Sequence, residues 1–528
     1  MSLKYNSYAL GIVCGLATAL LWVLSIPPFK FAEASYIAFI PLILWLYTRP
    51  SRRLCLIIAL GTAWISWFAI LIWLRHVTLV GTILLSGLLA CFFVLWILPV
   101  HSLLPRIARR TFILRAFMFA GVAAFWVVLE WLRSWILWGF PWAPLALSQW
   151  ERPIVLQILA WTGAYGVSFL LIFFNLCIAQ TLYNRVVIKT TTLWSGWFSL
   201  DLYLALALLG SCIYIFFNSL PKRDSEVILF TAAVVQPYIK PQVKWDESKA
   251  LQNLKILEKQ TQFVANMDSD LVLWPEASTP WPVQGSPEMQ IWVEDLVTFV
   301  GKPILMGNMA AEYEMDRWYN GAFLVEPDKG LSETFYAKRE LVPFGEFVPK
   351  PLRFIDKVVP IGGDFFPGTE PTLFQIKAND QVLNIGPLIC YEDIFPDLAR
   401  NSTRAGAQVL FVATNNAWYG EEGGAVQHAA HSVLRAVENR RPIMRCGNGG
   451  WSGWIDCFGN VREVLYDERC SIYFRGGGSF TVSHFEKWMW PQSFYTRFGD
   501  WFVLLCGALT LILMSFIWLC RKSLGPED

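Results

Sequence analysis

The chain has 528 residues, 55% of them hydrophobic and 27 of them Trp, with a mean hydropathy of +0.42. That sets it well apart from soluble proteins of this length. A net charge of only +2 gives no reason to expect a nucleic-acid partner.

Apolar runs fill most of the first 220 residues. They predict membrane spans at 8–24, 36–47, 54–74, 80–100, 117–137, 154–182 and 200–217, with one more at 501–520, about eight in all. Basic residues cluster in alternate loops: Arg49, Arg52 and Arg53, then Arg106, Arg109, Arg110 and Arg115, then Arg185 and Lys189, and finally Arg521 and Lys522. With eight spans all four clusters share one side, so the positive-inside rule puts both termini in the cytoplasm. The polar block between is then extracytoplasmic. No small-x-small cleavage site follows the first span, which reads as an uncleaved anchor. The domains are therefore expected at 1–221 (membrane bundle, about seven spans), 222–496 (extracytoplasmic, catalytic) and 497–528 (membrane helix with a cytoplasmic tail).

From Glu226 the pattern becomes short apolar runs alternating with amphipathic stretches, an α/β arrangement. Strands are expected at 227–235, 271–274, 304–307, 322–325, 382–390, 409–414 and 443–446. Helices are expected at 247–266, 289–300, 396–405 and 426–439.

Three apolar runs in this block end on reactive side chains: Glu276 after Leu271–Trp274 and Pro275, Lys338 after Tyr336-Ala337, and Cys390 after the run from Val382. Together they offer a base, a cation and a nucleophile. By position alone a Cys ending a strand is more often inert packing, and the neighbouring Glu392 and Asp393 oppose a thiolate. A nucleophilic Cys390 needs a proton acceptor and a cation. No His is placed to serve it, so a carboxylate is the natural base. Of the eleven Cys, Cys14, Cys55, Cys91, Cys177, Cys212, Cys506 and Cys520 fall in spans. Cys446, Cys457 and Cys470 leave room for one disulfide of open pairing. No C-x-x-C spacing exists and the five His do not cluster, so no zinc or other metal site is expected.

The stretches Leu273-Trp274-Pro275-Glu276-Ala277-Ser278, Tyr336-Ala337-Lys338-Arg339-Glu340-Leu341-Val342-Pro343-Phe344-Gly345-Glu346-Phe347-Val348-Pro349 and Ile389-Cys390-Tyr391-Glu392 resemble, in this order, the three catalytic blocks of the nitrilase superfamily. The Leu341–Pro349 stretch and the flanking spans resemble its membrane-bound apolipoprotein N-acyltransferase branch. Gln236, Lys244-Trp245-Asp246, Gly139-Phe140-Pro141-Trp142 and Ala417-Trp418-Tyr419-Gly420 add to that likeness. One departure is Asn416, where the family usually has Asp; another is the Gly- and Trp-rich segment 446–454.

The resemblance implies an αββα sandwich and a ping-pong acyl transfer without cofactor or metal, the last step of bacterial lipoprotein maturation at the inner membrane, with the catalytic domain facing the periplasm. Cys390 would attack a phospholipid ester to form a thioester, Glu276 would take its proton, and Lys338 would stabilise the oxyanion. The diacylglyceryl-cysteine amine of an apolipoprotein would then accept the acyl chain. Glu346 would orient Lys338 or the amine. Tyr391 and Glu392 would support the nucleophile, Glu392 by tuning Lys338 or by capping the helix near Pro396. Phe344 and Phe347, with Leu352, Phe354 and Ile355, would form an apolar mobile loop admitting lipid. From the residues themselves, Trp245 and Trp418 either line acyl chains or pack, and Arg133, three residues from Glu130 on the fifth span, either holds a phospholipid headgroup or forms an interfacial structural pair with it. A monomer is expected. The rivals are a membrane-tethered amidohydrolase using water and a transporter with a binding domain, the latter disfavoured by scarce charge within the spans.

Overall fold

A computed structural model describes residues 2–186, 199–220, 225–355 and 364–523. Lys189 and the expected boundary at 221–222 lie outside the described residues, as do the side chains of Leu352, Phe354, Ile355, Cys520, Arg521 and Lys522. Two compact units emerge. One takes in the described residues before 221 together with 422–427 and those from 498 onward, and the other comprises the rest.

In the first unit the apolar runs become helices because a spanning segment must satisfy its own backbone hydrogen bonds. Seven described helices are long and apolar enough to cross a bilayer: Ser2–Ser25, Arg52–Ile70, Leu79–Ile107, Phe112–Arg133, Ala164–Val186, Leu200–Ser219 and Trp501–Ser523. Polar caps open several. The Ser51 hydroxyl accepts from the Leu54 N–H, Thr78 from Gly81 and Ser199 from Leu202.

Two expected spans differ. The one at 154–182 is interrupted at Gly163, whose φ of +66° ends the short helix Leu159–Thr162 before Ala164–Val186 begins. The one at 36–47 is not a spanning helix, since only Ile40–Leu46 is α-helical, about 10 Å long. It nevertheless runs back along the first helix. The Leu42 N–H meets Thr18 Oγ1 at 3.2 Å and Trp45 Nε1 meets the Ser7 carbonyl at 3.2 Å, so later residues reach progressively earlier ones. Side chains satisfy its irregular backbone: Asn175 accepts from the Phe39 N–H (2.9 Å) and donates to the Ser35 carbonyl (2.8 Å), and Gln149 donates to that of Ala32 (3.0 Å). The expected span is thus a seven-residue helix with an irregular approach, too short to cross a bilayer as a helix.

The second unit has two sheets. The first comprises β1 (Glu226–Gln236), β2 (Leu271–Trp274), β3 (Ile304–Glu312), β4 (Arg317–Glu326), β5 (Gly330–Leu331), β6 (Tyr336–Ala337) and β13 (Gly476–Phe485), in the order β13-β1-β2-β3-β4-β5 with β6 also on β4. The second runs β12 (Val461–Val464), β11 (Gly453–Ile455), β10 (Ile443–Gly447), β9 (Val409–Thr414), β8 (Gln381–Ile389), β7 (Phe374–Ala378). Strands β1, β2 and β3 are parallel, as are β8, β9 and β10.

Alternation along each strand builds the layers. Ala232, Val234, Leu271 and Leu273 share one apolar core with Ile385, Ile389, Phe411 and Ala413 of the other sheet. Their neighbours Ala233, Val235, Val272 and Trp274 face helices Ala250–Ala265 and Pro287–Val300 through Leu257, Val293 and Val297. With Pro396–Arg404 and Gly424–Asn439 on the second sheet, the result is the expected αββα sandwich. Strand β13 escapes a sequence reading because it opens with three glycines, poor strand formers. Gly477 is required there, since a Cβ would come within 2.5 Å of the Val234 carbonyl of β1.

Candidate active site

Both parallel layers deliver a functional side chain at a strand's carboxyl end. Strand β2 leads through Pro275 to Glu276, and Gly307 of β3 lets that turn lie close, since a Cβ there would meet Glu276 Cα and the Pro275 carbonyl oxygen at 2.8 Å. Strand β8 leads to Cys390, which adopts φ +50°. A non-glycine residue in this left-handed region is strained, and such strain concentrates at functional sites. Lys338 follows β6, its N–H held by the Asn320 carbonyl at 2.8 Å.

These three side chains are nearly enclosed, with Lys338 1%, Cys390 7% and Glu276 8% exposed. Lys338 Nζ lies 2.9 Å from Glu346 Oε1 and 3.4 Å from Glu276 Oε1. The Asn320 amide donates to the same two carboxylates, each at 2.8 Å. Glu346 also accepts from the Val342 N–H at 2.8 Å, which closes the turn carrying Phe344. Glu346 is thus the second counterion of Lys338.

Burial penalises every charge here, and the pairs decide which survive. Burial would raise Glu276, but Lys338, the Asn320 amide and Lys244 outweigh it and hold the carboxyl below its ordinary range. Burial would lower Lys338, but Glu346, Glu276 and Cys390 hold it above the usual lysine range. Cys390 is pushed up to about 12 by burial and then by the Glu276 charge, against the pull of Lys338 and hydrogen bonds from Thr414 and Asn415. The resting site therefore holds a thiol, a carboxylate and an ammonium. Such a thiol reacts only if its proton leaves during attack, and Glu276 is hydrogen-bonded to Cys390 to receive it.

Glu392 caps the turn that begins at Cys390 rather than the Pro396 helix. Fully buried, it accepts from the Tyr336 hydroxyl (2.8 Å), the Ile389 N–H (2.7 Å) and the Arg339 N–H (2.6 Å). It joins the residue before Cys390 to the residue after Lys338, while Phe395 occupies the N-cap of the Pro396 helix. Tyr391 is buried edge-on against Phe395, with ring centroids 5.2 Å apart.

Behind the nucleophile, His428 Nε2 lies 3.0 Å from the Cys390 carbonyl and 2.7 Å from Asp393 Oδ1, while Ser432 and Arg445 bind Asp393 Oδ2. Asn416 donates to the Gly450 carbonyl at 2.9 Å and turns Oδ1 toward His428 Nδ1, also at 2.9 Å. Asn416 thus has a partner at each end of its amide. In the 446–454 segment Gly449 and Gly450 adopt φ of +109° and +111°, which brings the loop against Ala417.

Trp245, Trp418 and Phe344 are exposed and Phe347 is half-buried. Arg133 lies in the other unit, buried, its guanidinium 4.8 Å from the Trp67 ring centre. With Glu130 it lines a recess walled by Trp22, Trp67, Phe93 and Trp126. The described cysteines are free thiols, and Cys446 donates to the Val235 and Leu273 carbonyls at 3.3 and 3.4 Å.

Sequence reasoning gave no role to Lys244, Asn320, His428 or Arg445, and saw Asp393 only as opposing a thiolate. Of these only Lys244, in the motif Lys244-Trp245-Asp246, and Asp393, in the turn after Cys390, carried a signal.

Two family models match the chain: the apolipoprotein N-acyltransferase N-terminal domain over residues 18–177 and carbon-nitrogen hydrolase over residues 231–483. The apolipoprotein N-acyltransferase of Geobacter metallireducens is 30% identical, over 99% of this chain and 97% of its own length. That of Brucella melitensis is 30% identical over 83% and 84%. Among solved structures, a variant of the Nesterenkonia AN1 amidase, of the nitrilase superfamily, matches 53% of this chain and 95% of its own at 16% identity, with a TM-score of 0.37.

Proposed function

Because this chain belongs to the apolipoprotein N-acyltransferase family, and so is a multi-pass membrane acyltransferase of lipoprotein N-acylation, we propose that it carries an acyl chain from a phospholipid to the diacylglyceryl-cysteine amine of apolipoproteins through a thioester on Cys390. The observation that carries the mechanism is the juxtaposition of Glu276, Lys338 and Cys390 in one nearly enclosed site, where Lys338 lies 3.4 Å from Glu276, pairing holds that carboxyl down and burial pushes the thiol up.

In the first half, Glu276 takes the thiol proton as sulfur bonds to the ester carbonyl carbon, and the negative charge on the former carbonyl oxygen develops beside Lys338. Collapse breaks the ester C–O bond, and Glu276 returns the proton to the departing alkoxide, giving a lysophospholipid. In the second half, the α-amine attacks the thioester carbonyl, Glu276 accepts a proton from nitrogen, and the thiol leaves reprotonated as the amide forms. Glu346 keeps Lys338 charged and oriented, and Glu392 keeps the Lys338 and Cys390 turns in register. Phe344, Phe347, Trp245 and Trp418 supply apolar surface for acyl chains. The cycle needs one copy of the chain and no cofactor.

Purified protein in detergent, given phospholipid with a labelled acyl chain and a synthetic diacylglyceryl lipopeptide, is expected to place the label on the peptide amine and release lysophospholipid. Label appearing only as free fatty acid, whatever the amine concentration, would mean a hydrolase.

We place the second unit in the periplasm and both termini in the cytoplasm of a bacterial inner membrane. The alternating basic loops support this, with the segment at 26–47, which packs back along the first helix, taken as a crossing. A reporter active only outside the cytoplasm is expected to work after Thr496 and to fail after Arg110 or Asp528. The reverse pattern would sink the orientation.

A further inference from the structure

Lys244 ends the short helix Pro241–Lys244 that follows β1, and its side chain is only 6% exposed. Its ammonium donates at 2.8 Å to the backbone carbonyl of Glu276. We infer that Lys244 is a positioning residue of the acyl-transfer site: it pins the turn that presents Glu276 and supplies a second positive charge beside that carboxylate. The inference rests on the function proposed above, in which Glu276 is the base.

Two features separate this from ordinary packing. The turn itself is strained, since Ala277 has φ +46°, and both carbonyls leading into it are held, Pro275 by the Ser278 hydroxyl at 2.6 Å and Glu276 by Lys244. Removing one tie lets the carboxylate swing from Asn320 and Lys338. The second feature is charge. A neutral donor would satisfy the Glu276 carbonyl equally well, so what a buried lysine adds is a positive field near Glu276 and Cys390.

The two lysines of the site differ in consequence. Lys338 touches two carboxylates and stays above the ordinary lysine range. Lys244 touches only a carbonyl, and burial brings it down to about 8 despite attraction from Glu276 and Cys390. It faces Glu276, Cys390 and, across the carboxylate, Lys338; Asp246 on its own segment is exposed. Its charge lowers the pKa of Glu276. Removing that charge must raise this pKa, so the acid limb of the pH–rate profile moves to higher pH. Glu276 is already ionised where Lys244 discharges, so the acid limb, not the alkaline one, reports the coupling.

The test uses the full chain in detergent as wild type, Lys244→Met, Lys244→Gln and Lys244→Arg. Two rates are followed against pH by quenched mass spectrometry: acylation of Cys390 by phospholipid, and alkylation of Cys390 by iodoacetamide, which needs no lipid. We expect Met and Gln to move the acid limb of both rates up by about one pH unit, about a tenfold loss at a fixed pH on that limb. Arg should restore its position. An unmoved limb in Lys244→Met overturns the inference, as does a wild-type limb in Lys244→Gln, which keeps a donor and loses only charge. Equal losses in all three variants that track a lowered thermal midpoint also overturn it. If wild type forms no thioester while the alkylation limb still moves in Lys244→Met, the role of Lys244 stands and the proposed acyl transfer falls.

Discussion

Cys390→Ala will form no acyl-enzyme and transfer no acyl chain, and Cys390→Ser will be close to equally inactive. Alanine removes the nucleophile. Serine retains an O–H, but its alkoxide is far harder to reach than a thiolate, and Glu276 is held below the ordinary carboxylate range, which makes it a weak base for so weak an acid. Wild-type protein exposed to phospholipid should gain the mass of one acyl chain, mapped to the peptide containing Cys390 and released by hydroxylamine. Both variants should keep the wild-type thermal midpoint, because neither substitution removes a buried apolar group of any size. Normal turnover in Cys390→Ala, or acylation at another residue, would remove the mechanism.

What could be read in the sequence depended on how local the signal was. An apolar run ending in a polar turn is local, which is why Glu276, Lys338 and Cys390 stand out, and all three do lie at strand ends in one buried site. The partners that tune them come from elsewhere in the chain. Asn320 sits inside β4 and reaches a carboxylate 44 residues away, and Lys244 bonds a carbonyl 32 residues away. Neither relation leaves a periodicity to read. Glu392 is a mixed case. Its position beside Cys390 suggests a helix cap, and it caps the Cys390 turn through Ile389, but its bonds to Tyr336 and Arg339 come from far along the chain.

The same distinction explains the fold. Strands β1, β2, β8 and β9 carry continuous apolar runs and were expected within a residue of their observed limits. Strand β3 continues past Gly307 through Asn308 to Glu312, because the extension pairs with β4 and its polar side chains find partners: Asn308 meets Thr279 and Glu312 meets Tyr319. In the membrane unit, hydropathy located the apolar segments, but the broken return at 26–47 is held by Thr18, Gln149 and Asn175 from other helices. Long-range side-chain hydrogen bonds replaced the helix that a window of apolar residues suggested.

Glu276→Gln should abolish acyl-enzyme formation and Lys338→Met should slow it steeply, and the way they fail should differ. Glu276→Gln keeps size and shape but accepts no proton, so the thiol, already pushed up to about 12, has no route to sulfur attack. Its loss should be nearly pH-independent, and its thermal midpoint should stay close to wild type. Lys338→Met removes the charge facing the oxyanion, for which a loss on the order of 10² to 10³ is typical of a single donor. It also leaves Glu276 and Glu346 buried without their shared cation, and stranding a buried charge costs about 3–5 kcal/mol. The Glu276 pKa, held down first by Lys338, must then rise, so the acid limb of the variant moves up and the variant should recover some activity as pH is raised. Its stability should follow the same sign. With Lys338 gone, burial raises the folded-state Glu276 pKa above its unfolded value, and the variant loses stability as pH increases through the range where Glu276 ionises. Adding Glu346→Gln removes one stranded charge and should return part of the lost thermal midpoint without restoring acylation. A Lys338→Met variant that acylates Cys390 at the wild-type rate, or whose stability rises across that pH range, would show that Lys338 neither faces the oxyanion nor holds the two carboxylates.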